Sequence, residues 1–170
     1  MRQEIITWDD VNKLIDHLIP QFNVAFDAMI MITRGGLVPG GILAEALNID
    51  SILTASIDFP AEVKMKTQRK RHPFLAVPKF IQFPEDYLLT DFRVLIVDDV
   101  WGSGRTITTV RNRVFGVNGY PYTCVLHFNP YRNLFGKVRP DYYAAITDAY
   151  IIYPWEIDRG AEKVLPFNYS

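Results

Sequence analysis

The chain carries one cysteine among 170 residues, so it can form no internal disulfide. That cysteine sits in the apolar run Tyr122-Thr123-Cys124-Val125-Leu126, which reads as a buried structural thiol and not as a nucleophile. A surplus of either charge is also lacking. Eighteen basic residues against 19 acidic ones leave a net charge of -1, so no global field favours nucleic acid or an anionic membrane as a partner. No apolar run is long enough to cross a bilayer, and Met1-Arg2-Gln3-Glu4 lacks the apolar core of a signal peptide. The expectation is a soluble cytoplasmic protein. Internal repeats and low-complexity tracts are absent, and the length suits a single domain over residues 1–170. Two common phosphate-binding signatures are missing as well: the Gly-x4-Gly-Lys-Ser/Thr loop occurs nowhere, and the dinucleotide fingerprint lacks its third glycine.

What is present centres on residues 94–106. Val94-Leu95-Ile96-Val97 reads as a strand buried on both faces of a parallel sheet, and it runs straight into Asp98-Asp99 and the small-residue turn Gly102-Ser103-Gly104. Residues 106–114 have a helical pattern, so the backbone N–H groups of residues 102–106 lie at a positive helix end suited to a phosphate. Two adjacent carboxylates cannot both be unpaired core groups. They face a cleft, where hydroxyls, a metal ion or both would answer them. An acidic, glycine-rich turn of no special function is the plain alternative.

The arrangement occurs a second time. Residues 28–33 read as a buried strand, Arg34-Gly35-Gly36 breaks it, and residues 37–47 resume a helical pattern. Paired glycines let a backbone approach an anion closely. A first helix is expected from Val11, Leu14, Ile15 and Leu18, with Asp9 or Asp10 as its N-cap. Further strands are expected over residues 51–57, 122–128 and 143–146. Strands alternating with helices predict an α/β fold, a doubly wound, mostly parallel sheet with helices on both faces and ligands beyond the strands' carboxyl ends. The pattern dissolves over residues 58–91, which hold four prolines and the basic run 64–71. A lid, a solvated loop and a nucleic-acid patch are the three readings of that run; no stacking aromatics interleave it, which disfavours the last.

Residues 94–106 resemble the phosphoribosyl pyrophosphate (PRPP) signature of the type I phosphoribosyltransferases. Residues 32–44 resemble the pyrophosphate loop of that family's xanthine/guanine/hypoxanthine branch. Ile6-Thr7-Trp8-Asp9 and Ile152-Tyr153-Pro154-Trp155-Glu156 are also similar to that branch, so the likeness spans nearly the whole chain. The resemblance implies Mg2+-dependent transfer of ribose 5-phosphate from PRPP to a nucleobase, a purine, in nucleotide salvage. It implies PRPP binding by Arg34, Gly35, Asp98, Asp99, Gly102, Ser103, Gly104, Arg105 and Thr106, with Asp98 and Asp99 catalytic and Asp99 the metal ligand. It further implies a cis peptide at Thr33-Arg34, a flexible hood over residues 58–91 and a homo-oligomer. Base contacts fall to Asn129, Tyr150 and Ile151, while Trp155 is expected to close the core.

Two positions depart from the branch. Asn129 stands where it usually has a lysine that donates to the purine's exocyclic oxygen, and an asparagine can donate or accept. Gly102 stands where it has an aspartate near the purine's N7. These departures touch only the base side. The loop Ser103-Gly104-Arg105-Thr106 is also similar to that of pyrimidine-responsive RNA-binding regulators of the superfamily, so a PRPP- or nucleotide-binding regulator of the same fold is the alternative.

Overall fold

The four-residue apolar run at 94–97 lies at the centre of the sheet, where both faces need covering. The structure, a computed structural model, describes residues 2–59 and 77–157. In it β5 (Arg93–Trp101) pairs in parallel with β2 (Ala28–Ile32) on one side and with β6 (Tyr120–Phe128) on the other. β3 (Ile52–Asp58) and β7 (Tyr142–Ile146) extend the parallel sheet outward, and β4 (Lys79–Gln82) closes one edge antiparallel to β3. The order is β4-β3-β2-β5-β6-β7. α1 (Trp8–Leu18) and α2 (Leu37–Ala46) pack on one face, against Leu95, Val97, Met29 and Met31. α3 (Arg105–Gly116) packs on the other, against Val94, Ile96, Ile30 and Ile32. Successive residues of one strand thus feed two cores, which is why β2 and β5 show no polar alternation.

Chain direction decides where a ligand can sit. From β2 the chain steps outward through β3 to β4, then returns to β5 on the opposite side of β2. Connections on the two sides of that boundary diverge, leaving a crevice at the carboxyl ends of β2 and β5. Those are the two strands that end in the glycine turns.

Two local expectations are corrected, and one pairing adds to them. The N-cap of α1 is Thr7, not Asp9 or Asp10: its hydroxyl accepts the Asp10 N–H at 3.2 Å while the Asp10 carboxylate accepts the Thr7 N–H at 3.0 Å. Asp10 stands three residues past the cap, where a carboxylate reaches back to it. Residues 77–91 are not patternless. They hold β4 and a 3-10 turn at Asp86–Leu88, whose Asp86 pairs with Arg113 of α3 at 2.8 Å. The rest of the expected hood, with the basic run 64–71, lies outside the described residues. Finally, β1 (Gln3–Ile5) pairs in parallel with β8 (Tyr150–Ile152) in a small separate sheet. Both strands are too short to carry a periodic signal, and their pairing ties the beginning of the chain to the segment holding Tyr150 and Ile151.

Candidate active site

At the end of β2 the Thr33–Arg34 peptide is cis, and Gly35 and Gly36 follow it into α2. Gly36 lies so close to β5 that a Cβ there would run into the Val97 carbonyl oxygen. Gly35 lies against the acid pair: a Cβ on it would be 2.5 Å from Asp99 Cγ. Thr33, Arg34, Gly35, Asp98 and Asp99 line one cleft of about 540 Å³, with Trp155 and Glu156 on its far wall. Arg34 is exposed and half-buried Asp98 and Asp99 face it across the opening, so the cleft presents both signs of charge.

The second turn follows β5. Gly104 takes a left-handed φ of 79°, and a Cβ there would strike the Trp101 indole. Trp101 is buried beneath the loop, and its Nε1 donates to Asn133 Oδ1 at 3.1 Å. The Leu134 N–H donates to the Ser103 carbonyl at 3.1 Å, so the loop is strapped to residues 129–138. Ser103 Oγ accepts the Arg105 N–H at 3.3 Å. The remaining first-turn N–H groups of α3 have no helical partner, as at any helix start. Arg105 contributes backbone here; its guanidinium lies over the Phe59 ring at 4.2 Å.

Electrostatics mark the acid pair as prepared for a cation. Burial and then the neighbouring Asp99 charge push the Asp98 carboxyl well above the usual range. Burial, with the charge of Glu156 adding to it, raises Asp99 to about 6. Carboxylates that resist ionisation until a positive charge arrives, in an all-oxygen setting, fit Mg2+. Among the described residues no cluster of three or more acidic, histidine or cysteine side chains could hold a metal by itself. Mg2+ commonly takes one or two carboxylates and draws its other ligands from substrate phosphates and water.

Beside the cleft lies a smaller cavity of about 170 Å³. Gly102, Asn129, Arg132, Tyr150, Ile151 and Tyr153 line it, and Asp99 and Glu156 border both it and the cleft. The three expected base-contact residues are thus brought together from the end of β6 and from β8. Tyr150 is exposed at the rim and Ile151 buried. Asn129 is 2% exposed, and its Oδ1 accepts the N–H groups of Tyr131 at 3.1 Å and Arg132 at 3.2 Å. Its Nδ2 donates to no other described residue. Two backbone donors therefore fix the amide's orientation and leave an N–H2 group for whatever fills the cavity.

Sequence reasoning gave no role to Glu156 or Tyr153, which border the cavity, and overlooked Arg132. The signals for the first two were the motif at residues 152–156 and their spacing. A residue whose N–H meets a carboxylate three positions later caps a helical turn, and the Tyr153 N–H donates to Glu156 Oε2 at 2.8 Å. Trp155 stacks on Tyr153 with ring centroids 4.5 Å apart and also borders the cleft. Cys124 is fully buried, as expected, and burial pushes its thiol pKa upward, so it is no nucleophile.

No family model matches the chain. The xanthine-guanine phosphoribosyltransferase of Cereibacter sphaeroides is 31% identical to it, over 96% of this chain and 91% of that protein. A purine phosphoribosyltransferase from Pyrococcus horikoshii superposes with a TM-score of 0.76 at 27% identity, over 94% of this chain and 98% of that one. The xanthine-guanine-hypoxanthine phosphoribosyltransferase of Helicobacter pylori gives 0.72 at 16% identity, over 92% and 96%, a likeness of fold.

Proposed function

We propose, from the premise that the chain belongs to the type I phosphoribosyltransferase family, that it transfers the ribose 5-phosphate of PRPP to a 6-oxopurine. One observation carries the proposal: a half-buried acid pair sits between an Arg-Gly-Gly turn and a small cavity walled by Asn129, Tyr150 and Ile151.

In this reading the turn at residues 102–106 holds the 5′-phosphate through helix-start N–H groups and the Thr106 hydroxyl. Arg34 and the backbone at Gly35 take the pyrophosphate, and Asp98 and Asp99 orient the ribose hydroxyls. Mg2+, held by Asp99 and substrate oxygens, would lower the charge that the leaving pyrophosphate carries. A ring nitrogen of the purine then displaces pyrophosphate at the anomeric carbon: the C–N bond forms, the C–O bond breaks and the nitrogen's proton is lost. Tyr150 stacks on the base and Ile151 packs against it, contacts that tolerate any flat ring. Asn129 supplies the selection, because its free N–H2 complements an exocyclic oxygen at C6 and opposes the amino group of adenine.

Four further proposals stand beside this one: one domain over residues 1–170, from the length; a cytoplasmic location, from the composition; and a hood at 58–91 and a homo-oligomer, from the family resemblance. Among the described residues no helix is long and apolar enough to cross a membrane.

Pyrophosphate release with PRPP, Mg2+ and a panel of hypoxanthine, guanine, xanthine, adenine, uracil and orotate tests the reading. Turnover of one or more 6-oxopurines with adenine refused is expected. PRPP binding without turnover of any base would return the regulator reading.

A further inference from the structure

The Asp99 carbonyl receives a hydrogen bond from outside the sheet. Tyr153, only 1% exposed, donates its phenolic proton to that oxygen at 2.9 Å. A carbonyl cannot donate, so the direction of this bond is fixed. The phenol has no second proton. The 2.8 Å contact between its oxygen and His127 Nδ1 must therefore be an N–H donation from the imidazole, which sets the histidine tautomer. His127 is itself buried, on β6 beside the Val100 position of β5. The Tyr153 ring is clamped by the stacked Trp155, and its N–H by Glu156. Every polar atom of Tyr153 outside its own carbonyl thus has a fixed partner, and the phenol points at the peptide that carries the acid assigned to PRPP and Mg2+.

We propose that Tyr153, oriented by His127, is a positioning residue for Asp99: it holds that peptide so that the carboxylate faces the cleft. This rests on the phosphoribosyltransferase reading. Gly35 packs on the same carboxylate from the opposite turn, so Asp99 is held at its backbone by the phenol and bounded at its side chain by the pyrophosphate loop. The segment carrying Tyr153 also carries Tyr150 and Ile151.

The test uses the full chain and reads binding as well as turnover. Calorimetry gives the affinity for PRPP with Mg2+ and, separately, for a purine nucleoside 5′-monophosphate, which fills the phosphate loop and base cavity without a pyrophosphate. Tyr153→Phe keeps the stacked ring and removes only the oxygen. It should weaken PRPP about tenfold, the worth of one neutral hydrogen bond, and raise the KM for PRPP in step. Monophosphate affinity, which uses Asp99 only through the ribose hydroxyls and without pyrophosphate or Mg2+, should fall by less than PRPP affinity. His127→Gln, which can still present an N–H to the phenol, should show a smaller loss than His127→Phe, which cannot. Unchanged PRPP affinity in Tyr153→Phe, or equal loss for both ligands, overturns the positioning role. Should Tyr153→Phe not fold, the two His127 variants decide the matter by the same criterion. Wild-type protein that neither binds PRPP nor turns over a purine would instead overturn the underlying reading.

Discussion

The two sides of the site are built from different materials. The sugar-phosphate side consists of two strand-to-helix turns next to each other in the sheet, where glycines bring backbone close and one acid pair lies between. The base side is assembled from side chains of the β6 end and β8, segments separated in sequence: β8 is paired with β1, and the residues after β6 are strapped to the 102–106 turn. Backbone amides bind any phosphate in the same way, whereas side chains can be exchanged one at a time. In the proposed reading the first side would fix the ligand class, and the second would admit departures such as Asn129 and Gly102 without loss of the fold.

The sharpest way to break this contrast is at the acid pair. Asp99→Ala should lower kcat/KM for PRPP by roughly 1,000-fold, the upper range for removing one electrostatic stabiliser from a reaction centre. Steady-state kinetics with varied PRPP and Mg2+ would show it, and near-wild-type turnover would sink the assignment. Gly35→Ala comes next. Its Cβ would sit 2.5 Å from Asp99 Cγ, so the carboxylate must move, and a displacement near 1 Å in a reaction centre reaches about 100-fold in rate. Nucleoside monophosphate affinity should fall less, since that ligand meets the acid pair only through its ribose hydroxyls and carries no pyrophosphate; an equal loss would show that the two sides are not separable.

Asn129→Asp probes the other side alone. It keeps an oxygen for the Tyr131 and Arg132 N–H groups but replaces the free donor by an acceptor. The expected result is roughly 30-fold lower kcat/KM for hypoxanthine, from about 2 kcal/mol, with the PRPP dissociation constant unchanged. Competition between hypoxanthine and adenine measures the shift directly, and unaltered discrimination would remove Asn129 from the selection.

The smallest effect is on stability against pH. Asp99 is raised in the folded protein from 3.8 to about 6, chiefly by burial. The folded state therefore holds a proton that the unfolded chain has released between those two values. Its stabilising contribution is complete below the lower value and is lost as pH rises through the upper one. Metal-free protein should thus melt lower at about pH 7 than at about pH 5, and Asp99→Asn should reduce that difference, with Asp98, also raised by burial, keeping part of it. An identical pH profile in the variant would show that Asp99 does not titrate as its burial requires.

Much of this was legible before any coordinates. Uninterrupted apolar runs at 28–32 and 94–97 imply strands covered on both sides, and the glycines after them imply close backbone approach, because these depend only on local chemistry and pattern. The lone buried cysteine and the acid pair facing a cleft were readable on the same grounds. β1, β4 and β8 were not, since strands of three or four residues carry too little periodicity to distinguish them from loop.

By itself, then, the amino-acid sequence determined an α/β chain with two glycine-rich strand-to-helix turns and an acid pair at the end of one of them. Only the tertiary structure decided that Gly35 touches Asp99, that the Asn129 amide offers its N–H2 and not its oxygen, and that the Tyr153 phenol secures the Asp99 peptide. The physical reason is range. Strand and turn preferences act over a few neighbouring residues, whereas a hydrogen bond between positions 54 residues apart exists only after the sheet has brought them together.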